Sequence, residues 1–248
     1  MKAKIFYSMT IGPRSQQEDC LLVGDKIFQD IDIEGEIESE EGNILLTVCD
    51  GMGGYEAGEK NSKFVCEQLK EKLNVFSTKN IKNLLYSIQA LSIDLLPPQS
   101  GTTVAGIAIS NNNIIIFNAG DSRVYKLNQK GIQYISHDHS FVQQLIDQKM
   151  INEEQAFSHP HKNIINFGVG PAFVNHWGRY EINCIEEEVI TDNAYLICSD
   201  GLNTVLKNNE IYNILMPDPF ENGRLLMKNL KQKELRDNTS FILIKFLP

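Results

Sequence analysis

Four aspartates in this sequence stand at the boundaries of strand-like apolar stretches: Asp50 in LLTVCDGMGG, Asp121 in IIIFNAGDSR, Asp200 in AYLICSDGL and Asp237 in LRDNTSFILIKF. A glycine adjoins three of them, so in each case an extended segment would deliver a carboxylate to the edge of a sheet beside a sharp turn. Rigid sheet edges of this kind present oxygen ligands to metal ions. The repetition, more than any single turn, predicts that the chain folds around a carboxylate-rich site.

The composition predicts one domain and excludes two classes of partner. Of 248 residues, 42% are hydrophobic, which is enough for a sizeable core, and we expect a single domain over residues 1–248. The formal net charge is -9. Nucleic acids and anionic membranes bind clustered Lys and Arg, so neither is an expected partner of this acidic chain. A monomer is the default expectation.

The cysteines and the apolar stretches together predict a cytoplasmic protein. The five cysteines include no CxxC pair, and Cys49 and Cys198 lie inside strand-like apolar runs, where small buried hydrophobic residues are common. This pattern is typical of a reducing compartment. No stretch approaches the roughly 18 apolar residues of a membrane span, and the first residues lack a signal-peptide h-region.

Hydrophobic periodicity predicts an α+β fold, because strands and helices arrive in blocks. Helical spacing predicts helices over residues 56–76, 79–96, 139–156 and 208–233. Short β-rich runs predict strands over 21–28, 43–50, 173–183, 194–199 and 239–247, with an antiparallel meander over 102–135 and a loop over 157–172. The acidic segment 30–41 is expected to form a solvated hairpin in preference to a cation or partner site.

The glycine cluster GMGGYEAGEKNS does not match the common nucleotide or calcium loops. Glu59 occupies the position where a phosphate loop requires lysine, the G-x-G-x-x-G fingerprint fails at Glu56, and Met52 and Gly54 stand where a calcium loop needs oxygen ligands. The remaining interpretation is that Asp50 and the Gly51 carbonyl face a cation together. Oxygen ligands suit Mg²⁺ or Mn²⁺, and two such ions about 3.5 to 4 Å apart can activate water for phosphoester hydrolysis.

A set of motifs in fixed order resembles the metal-dependent type 2C serine/threonine protein phosphatases. They are Arg14-Ser-Gln-Gln-Glu-Asp19, Asp50-Gly-Met-Gly-Gly54 with Gly58-Glu59, Ser100-Gly-Thr-Thr103, Gly120-Asp-Ser-Arg123 with Tyr125, Ser199-Asp-Gly201 and Asp237-Asn238. The chain is similar to bacterial members over about residues 8 to 246. The resemblance implies a four-layer α-β-β-α sandwich with two central antiparallel sheets.

The resemblance also implies a set of metal ligands. Asp50 would bridge two Mn²⁺ or Mg²⁺ ions, the Gly51 carbonyl would hold one, and Asp200 and Asp237 would hold the other. Asp121 has two open interpretations: a ligand, with Asp200, of a weaker third ion, or a cap of the turn before SRVYKL.

Two further residues are implied to act on water and substrate. Asp19 would orient the metal-bound water without binding metal directly. Arg14 would clamp the substrate phosphate, a role suited to a planar guanidinium. Around them, Asn238 is expected to fix the turn that aims Asp237, whereas Thr102 and Thr103 are expected to be structural. Ser122 and Ser199 are not expected to be nucleophiles, because neither lies in a GxSxG elbow.

The histidines gather in one third of the chain but match no zinc pattern, so zinc is disfavoured. They are His137, His139, His159, His161 and His176. The resemblance instead assigns residues 137–172 to a flap beside the active site, expected to be mobile and to shape substrate choice.

Four positions depart from the family pattern, and none is a predicted metal ligand. Gln17 stands in place of Asn, Lys162 in place of Arg before Asn163, and Lys149 where the flap helix commonly turns at Gly. Met52 occupies the position of a histidine proposed as general acid in eukaryotic relatives.

The sequence therefore predicts a metal-dependent phosphatase of phosphoserine and phosphothreonine in proteins, opposing a cognate protein kinase. Two alternatives remain open from the residues alone. One is a catalytically silent module that keeps the fold to bind a partner, and the other is a hydrolase of small phosphate esters.

Overall fold

The structure is a computed structural model that describes residues 2–29, 31–39, 42–53, 57–110, 112–191 and 193–247. Gly54 and Glu56 of the glycine cluster, and Asp30, Glu40 and Glu41 of the acidic segment, lie outside these ranges. Within the described ranges no helix is both long enough and apolar enough to cross a membrane.

The first sheet has six antiparallel strands and is called the terminal sheet, because it contains the first and last strands. It consists of β1 (Lys2–Thr10), β4 (Asp32–Ser39), β9 (Arg123–Asn128), β10 (Gly131–Tyr134), β12 (Ala194–Cys198) and β13 (Thr239–Leu247), in the order β10-β9-β12-β13-β1-β4. β1 and β13 pair along nine residues, from Lys2 opposite Leu247 to Thr10 opposite Thr239.

The second sheet has seven antiparallel strands and is called the inner-motif sheet. It consists of β2 (Asp19–Val23), β3 (Lys26–Phe28), β5 (Asn43–Met52), β6 (Gly101–Thr102), β7 (Val104–Ser110), β8 (Asn113–Ala119) and β11 (Asn183–Glu188). The order is β11-β8-β7-β5-β2-β3, and the short β6 pairs with the end of β5.

Helices cover the outer face of each sheet. They are α1 (Ala57–Lys72) and α2 (Thr78–Leu95) on the inner-motif sheet, α5 (Asp200–Asn203), α6 (Asn208–Leu215) and α7 (Gly223–Gln232) on the terminal sheet, and α3 (Phe141–Asp147) and α4 (Glu153–Phe157) in the flap.

Alternating residues divide the core: Ile242 and Ile244 of β13 point between the sheets, whereas Phe241 and Leu243 face the helices. The predicted α+β four-layer sandwich with two central antiparallel sheets is confirmed.

Three helix and strand predictions were wrong in their extent. The helix predicted over 139–156 is two short helices, because Lys149 adopts a left-handed φ of 58° and Asn152 caps a new helix. The helix predicted over 208–233 is interrupted where Pro217 and Pro219 follow α6, since proline cannot continue a helix.

The strand predicted over 173–183 was also wrong. Residues 171–173 form a short 3₁₀ turn, and the strand begins only at Asn183. The aromatic residues of this segment form a cluster instead, since the Trp177 and Tyr180 rings pack against Phe167 at 5.0 and 5.8 Å.

The acidic segment forms an edge strand and not a local hairpin. β4 pairs with β1 of the terminal sheet, whereas β3 belongs to the other sheet. Its outward carboxylates are solvated, and Glu34 and Glu36 each lie 2.7 Å from the Arg224 guanidinium. Strand β1 had no sequence prediction, and pairing with it explains the isoleucine alternation of β4, because Ile33 and Ile37 pack on the core.

Candidate metal centre

Two of the predicted site aspartates meet through strand register. Asp19 begins β2 and lies directly opposite Asp50 of β5 in the antiparallel pair. Opposed residues on one face have Cβ atoms only about 5 Å apart, so like charges at such positions repel. Asp19 is fully buried, which makes this repulsion costly in the absence of a cation.

Two threonines hold the backbone of Asp50 in place. The Thr102 hydroxyl and the Thr103 amide both donate to the Asp50 carbonyl at 2.9 Å, and the Asp50 amide donates to Thr103 Oγ1 at 3.1 Å. Thr103 Oγ1 also lies 2.6 Å from Ser122 Oγ. These bonds are those of structural residues, as the sequence suggested, and they fix the Asp50 main chain on the sheet edge.

A third aspartate is brought to the same edge from the terminal sheet. Asp200 is the first residue of α5, directly after β12. The preceding Ser199 donates a hydrogen bond of 2.8 Å to Asp19 Oδ2 and accepts one of 3.0 Å from the Ser240 amide. Ser199 therefore links the two sheets at the site.

Glycines beside the aspartates are required for close backbone approach. A Cβ on Gly51 would lie 2.2 Å from the Gly58 carbonyl oxygen and 2.7 Å from that of Glu18. A Cβ on Gly201 would lie 2.0 Å from the Asn238 carbonyl oxygen. Any side chain at either position would separate the segments that carry the carboxylates.

Burial raises the pKa of every carboxyl in the centre of this cluster. Desolvation raises the pKa of Asp19 to about 7, and the negative charge of Asp200 adds to the increase. Desolvation also raises the pKa of Asp200 to about 6, which the charge of Asp237 increases and a hydrogen bond with Asp50 opposes.

The surroundings of Asp50 also raise its pKa. Desolvation is the main cause, followed by the charges of Asp19 and Asp200. Each carboxylate in the group is therefore destabilised by the others. Perturbed carboxyls gathered at one edge are the electrostatic signature of a functional or cation-binding site.

The oxygen atoms gathered in this centre are suitable ligands for divalent cations that prefer oxygen. Three buried carboxylate oxygens have no hydrogen-bond partner: Glu18 Oε1, Asp19 Oδ1 and Asp121 Oδ1. Unpaired buried carboxylates are rare unless a cation compensates them. Across the described ranges no three His, Cys, Asp or Glu side chains form a ready-made ligand set. A cation here would therefore also need carbonyl or water ligands, which Mg²⁺ and Mn²⁺ commonly retain.

Arg14 and Asp237 form an ion pair at the rim of this centre. Arg14 Nη2 donates to Asp237 Oδ2 at 2.5 Å, and Arg14 Nε donates to the Arg236 carbonyl at 3.3 Å. The side chains are 50% and 33% exposed, so solvent and ligands reach both. Asp237 was predicted to bind metal and Arg14 to bind phosphate. On binding these ligands, the two side chains would give up their ion pair with each other.

Asn238 does more than the sequence predicted. Its amide nitrogen donates to the carbonyls of Ile11 and Gln16 at 2.9 and 3.0 Å, and its side-chain oxygen accepts from the Glu18 amide at 2.8 Å. It thus clamps the loop that carries Arg14, in addition to bonding its own amide to Asp237 Oδ1 at 2.9 Å.

Asp121 lies at the far side of the cluster and is 6% exposed. Burial and the charges of Asp200 and Asp138 raise its pKa, whereas Arg123 opposes the rise. Its free Oδ1 fits the metal-ligand interpretation, whereas a hydrogen bond from its own backbone amide fits the turn-cap interpretation.

The histidines form no zinc site within the described part of the chain. His139 is held by backbone groups, accepting from the Gly120 amide at 3.2 Å through Nδ1 and contacting the Glu181 carbonyl at 2.9 Å through Nε2. His137 contacts Asp147 at 3.1 Å, while the His159 and His161 rings pack around Phe141.

Sequence reasoning missed two residues that organise the site. Ser199 was considered only as a nucleophile, although its position directly before Asp200 placed it where it could bond a neighbouring carboxylate. Lys162 was noted as a departure from Arg, and its positive charge lowers the pKa of Asp200. The signal for Lys162 was that it keeps the positive charge of the Arg it replaces, which hydrophobic periodicity does not reveal.

Comparison with known proteins agrees with the geometry. A model of the family described as Protein phosphatase 2C matches residues 30–238. A relative named Serine/threonine phosphatase stp, from Listeria monocytogenes serotype 4b (strain F2365), is 28% identical over 198 residues, covering 73% of this chain and 75% of the relative.

Solved structures share the fold along nearly the whole chain. The crystal structure of Serine/threonine phosphatase Stp1 from Staphylococcus aureus has a TM-score of 0.79 and 29% identity, covering 99% of this chain and 95% of Stp1. The catalytic domain of the serine threonine protein phosphatase PstP, solved with 2 manganese ions, has a TM-score of 0.76 at 22% identity, covering 99% of this chain and 99% of that domain. The chain belongs to the protein phosphatase 2C family and is a hydrolase of the serine/threonine protein phosphatase class.

Proposed function

We propose that this chain hydrolyses phosphoserine and phosphothreonine in proteins at a centre of two Mn²⁺ or Mg²⁺ ions. Asp50 would bridge them, the Gly51 carbonyl would bind one, and Asp200 and Asp237 would bind the other. The observation that carries the proposal is the buried, mutually repelling group Asp19, Asp50 and Asp200, whose raised pKa values a cation would lower. Two divalent cations held this way activate water and neutralise charge on the transferring phosphoryl group.

The protein's own groups would position the reactants. Asp19 has one oxygen fixed by Ser199, and its free Oδ1 would orient the attacking water and accept a hydrogen bond from it. Arg14 would release Asp237 and bind two phosphate oxygens through its guanidinium, which holds the phosphorus in line with the water. Asp121 would hold a weaker third ion together with Asp200.

The first experiment measures phosphate release from a phosphothreonine peptide in Mn²⁺, Mg²⁺ or EDTA, with Asp200→Asn and a control, Asp94→Asn, on the exposed face of α2. We expect metal-dependent turnover that falls at least tenfold in Asp200→Asn, about 1.4 kcal/mol of lost transition-state stabilisation, and stays unchanged in Asp94→Asn. Folded protein without turnover in either metal would replace this proposal with the silent binding module.

Turnover of small phosphate esters with no turnover of phosphopeptides would instead support the small-molecule hydrolase. Several expectations from the sequence stay predictions. They are an opposing protein kinase, a monomeric state, a cytoplasmic location, a single domain over 1–248, and the absence of nucleic-acid and membrane partners.

A further inference from the structure

A groove of about 660 Å³ runs between the flap and the rest of the fold. One wall is formed by α3 and α4 of the flap, and the opposite wall by residues 203–209. At one end the groove reaches Asp121 and Lys162. Asp121, the proposed ligand of the third ion, lines the groove, so the groove borders the metal centre.

The middle of the groove is lined by apolar side chains. Val142 and Ile146 lie one helical turn apart on α3, Ala156 and Phe157 come from α4, and Leu206 faces them from the other wall. Ile146 and Phe157 are only partly buried, so their apolar surface is open to a ligand. A pocket of this volume and lining binds an apolar group by removing its surface from water.

Contacts across the groove hold the flap wall in place. The Lys162 and Lys207 ammonium groups lie 5.2 and 5.6 Å from the centre of the Phe157 ring. Lys162 donates to the Thr204 carbonyl at 3.3 Å, and Lys207 pairs with Glu154 at 3.4 Å. These bonds join α4 to the segment before α6, so the groove has two defined walls.

The charged residues of the groove disfavour an acidic occupant. The lining carries three cations, Arg123, Lys162 and Lys207, against five carboxylates, those of Asp121, Asp138, Asp147, Glu153 and Glu154. Arg123 Nη2 lies 2.6 Å from Asp138 Oδ2 and Lys207 pairs with Glu154 at 3.4 Å, so an excess of carboxylates remains. At the open rim, Glu153 stands exposed at the start of α4, and Asp147 lies at the end of α3. An acidic side chain entering here would be repelled, whereas a neutral apolar side chain would meet the apolar lining.

We propose that this groove binds an apolar side chain of the substrate polypeptide that flanks the phosphorylated residue. The inference rests on the proposed function, since the phosphoryl group must sit at the metal centre while the flanking segment extends past Asp121 under the flap. The apolar contact selects substrates by binding, so it acts on KM more than on kcat. The enzyme thereby prefers phosphoresidues with leucine-like neighbours over those with acidic neighbours.

The test compares three phosphothreonine peptides that carry Leu, Gly or Glu at the positions flanking phosphothreonine on both sides, with all other residues identical. With the wild-type protein in Mn²⁺, we expect kcat/KM to be at least tenfold higher for the Leu peptide than for the Gly peptide, and lowest for the Glu peptide. The difference should appear in KM. Equal values of kcat/KM for the Leu and Gly peptides would overturn the inference without reliance on any variant.

A matched pair of variants localises the effect. Ile146→Asp places a charge in the groove, whereas Ile164→Asp makes the same change at a flap residue that is 46% exposed and outside the groove lining. We expect Ile146→Asp to reduce the Leu preference to less than threefold and Ile164→Asp to retain it. The Ile164→Asp control should hydrolyse p-nitrophenyl phosphate at the wild-type rate, because Ile164 lies outside the groove lining and that substrate has no flanking residue. Loss of the preference in both variants, or in neither, would exclude the groove as its source.

Failure of the inference and failure of the proposed function give different results. Turnover of all three peptides at one rate contradicts only the groove assignment. Absence of turnover of any peptide and of p-nitrophenyl phosphate in both metals contradicts the phosphatase centre itself.

Discussion

The metal centre and the flap are built from different kinds of contact. In the centre, β2 and β5 set Asp19 opposite Asp50, and hydrogen bonds from the Thr102 hydroxyl and the Thr103 amide fix the Asp50 carbonyl. Main-chain bonds join the base of the flap to the core at His139 and Val169. The flap helices have seven and five residues with a left-handed lysine between them, and the side chains of Lys162 and Lys207 attach them to the core. Sheet register tolerates little change, whereas surface side chains can be replaced singly. We infer from this difference that the proposed chemistry depends on the metal centre, that the proposed choice of substrate depends on the flap, and that the two can be changed separately.

The largest effect expected from this contrast is on turnover. Asp50→Asn removes the bridging charge, and we expect kcat/KM for p-nitrophenyl phosphate in Mn²⁺ to fall about a thousandfold or more, roughly 4 kcal/mol. Asp147→Asn makes the same chemical change on the flap, where the carboxylate contacts His137 and Gln143, and should change kcat/KM by less than about threefold. Similar losses in the two variants would mean that the parts are not separable.

The second effect concerns the stability of the metal-free protein. Asp19 and Asp200 have pKa values raised to about 7 and about 6, so the folded state binds protons more tightly than the unfolded state. Their protonated forms favour folding at low pH, and this stability is lost as pH rises through the folded pKa values. We expect the free energy of unfolding in EDTA, measured with urea, to fall by on the order of a few kcal/mol between pH 5 and pH 7.5.

Asp50→Asn provides the matched comparison for that measurement. By removing one of the repelling charges, it should raise the free energy of unfolding of the metal-free protein at pH 7.5 while abolishing turnover. A wild-type unfolding free energy that rises with pH over the same range would contradict the electrostatic account of the centre.

A smaller effect, on the KM for a phosphopeptide, is expected at the rim of the metal centre. Arg14 lies there and belongs to neither the buried centre nor the flap. Arg14→Lys keeps the charge but loses the planar pair of donors, and we expect KM for a phosphopeptide to rise about tenfold, roughly 1.4 kcal/mol. The Mn²⁺ concentration for half-maximal rate should not rise, because Asp237 is released from its ion pair. A higher Mn²⁺ requirement with unchanged KM would assign Arg14 to the metal site instead of to phosphate.

The smallest effect lies in the flap. Lys149 follows α3 and has a left-handed φ of 58°. Its amide donates to the Ile146 carbonyl, and the Met150 amide donates to the Leu145 carbonyl. These two bonds define a Schellman motif, in which glycine normally occupies the left-handed position. Lys149→Gly should stabilise the protein by about 0.5 to 1 kcal/mol, the left-handed penalty less the entropy of glycine. Lys149→Ala keeps a Cβ and should give no gain in urea unfolding. Equal gains would show that the backbone conformation is not the cause.

The same contrast explains how much the sequence could reveal. The centre was predictable because Asp50, Asp200 and their glycines are marked by local motifs, and the layered fold followed from the same resemblance. Long-range bonds such as those of Ser199 and Asn238 were not, since partners 180 and 222 residues away leave no local pattern. In the flap, capping and aromatic packing override periodicity, which is why the 139–156 helix and the 173–183 strand were wrong.

The pairing of β1 with β13 has a consequence for the order of events during synthesis. Arg14, Asp19 and the loop between them are made early, but the Asn238 clamp and Asp237 come with the last strand. The nascent chain therefore carries an incomplete centre until residues 237–247 leave the ribosome and close a contact across more than two hundred residues. With Asp237 as a proposed metal ligand, a partly translated chain would lack a complete centre because of its topology alone.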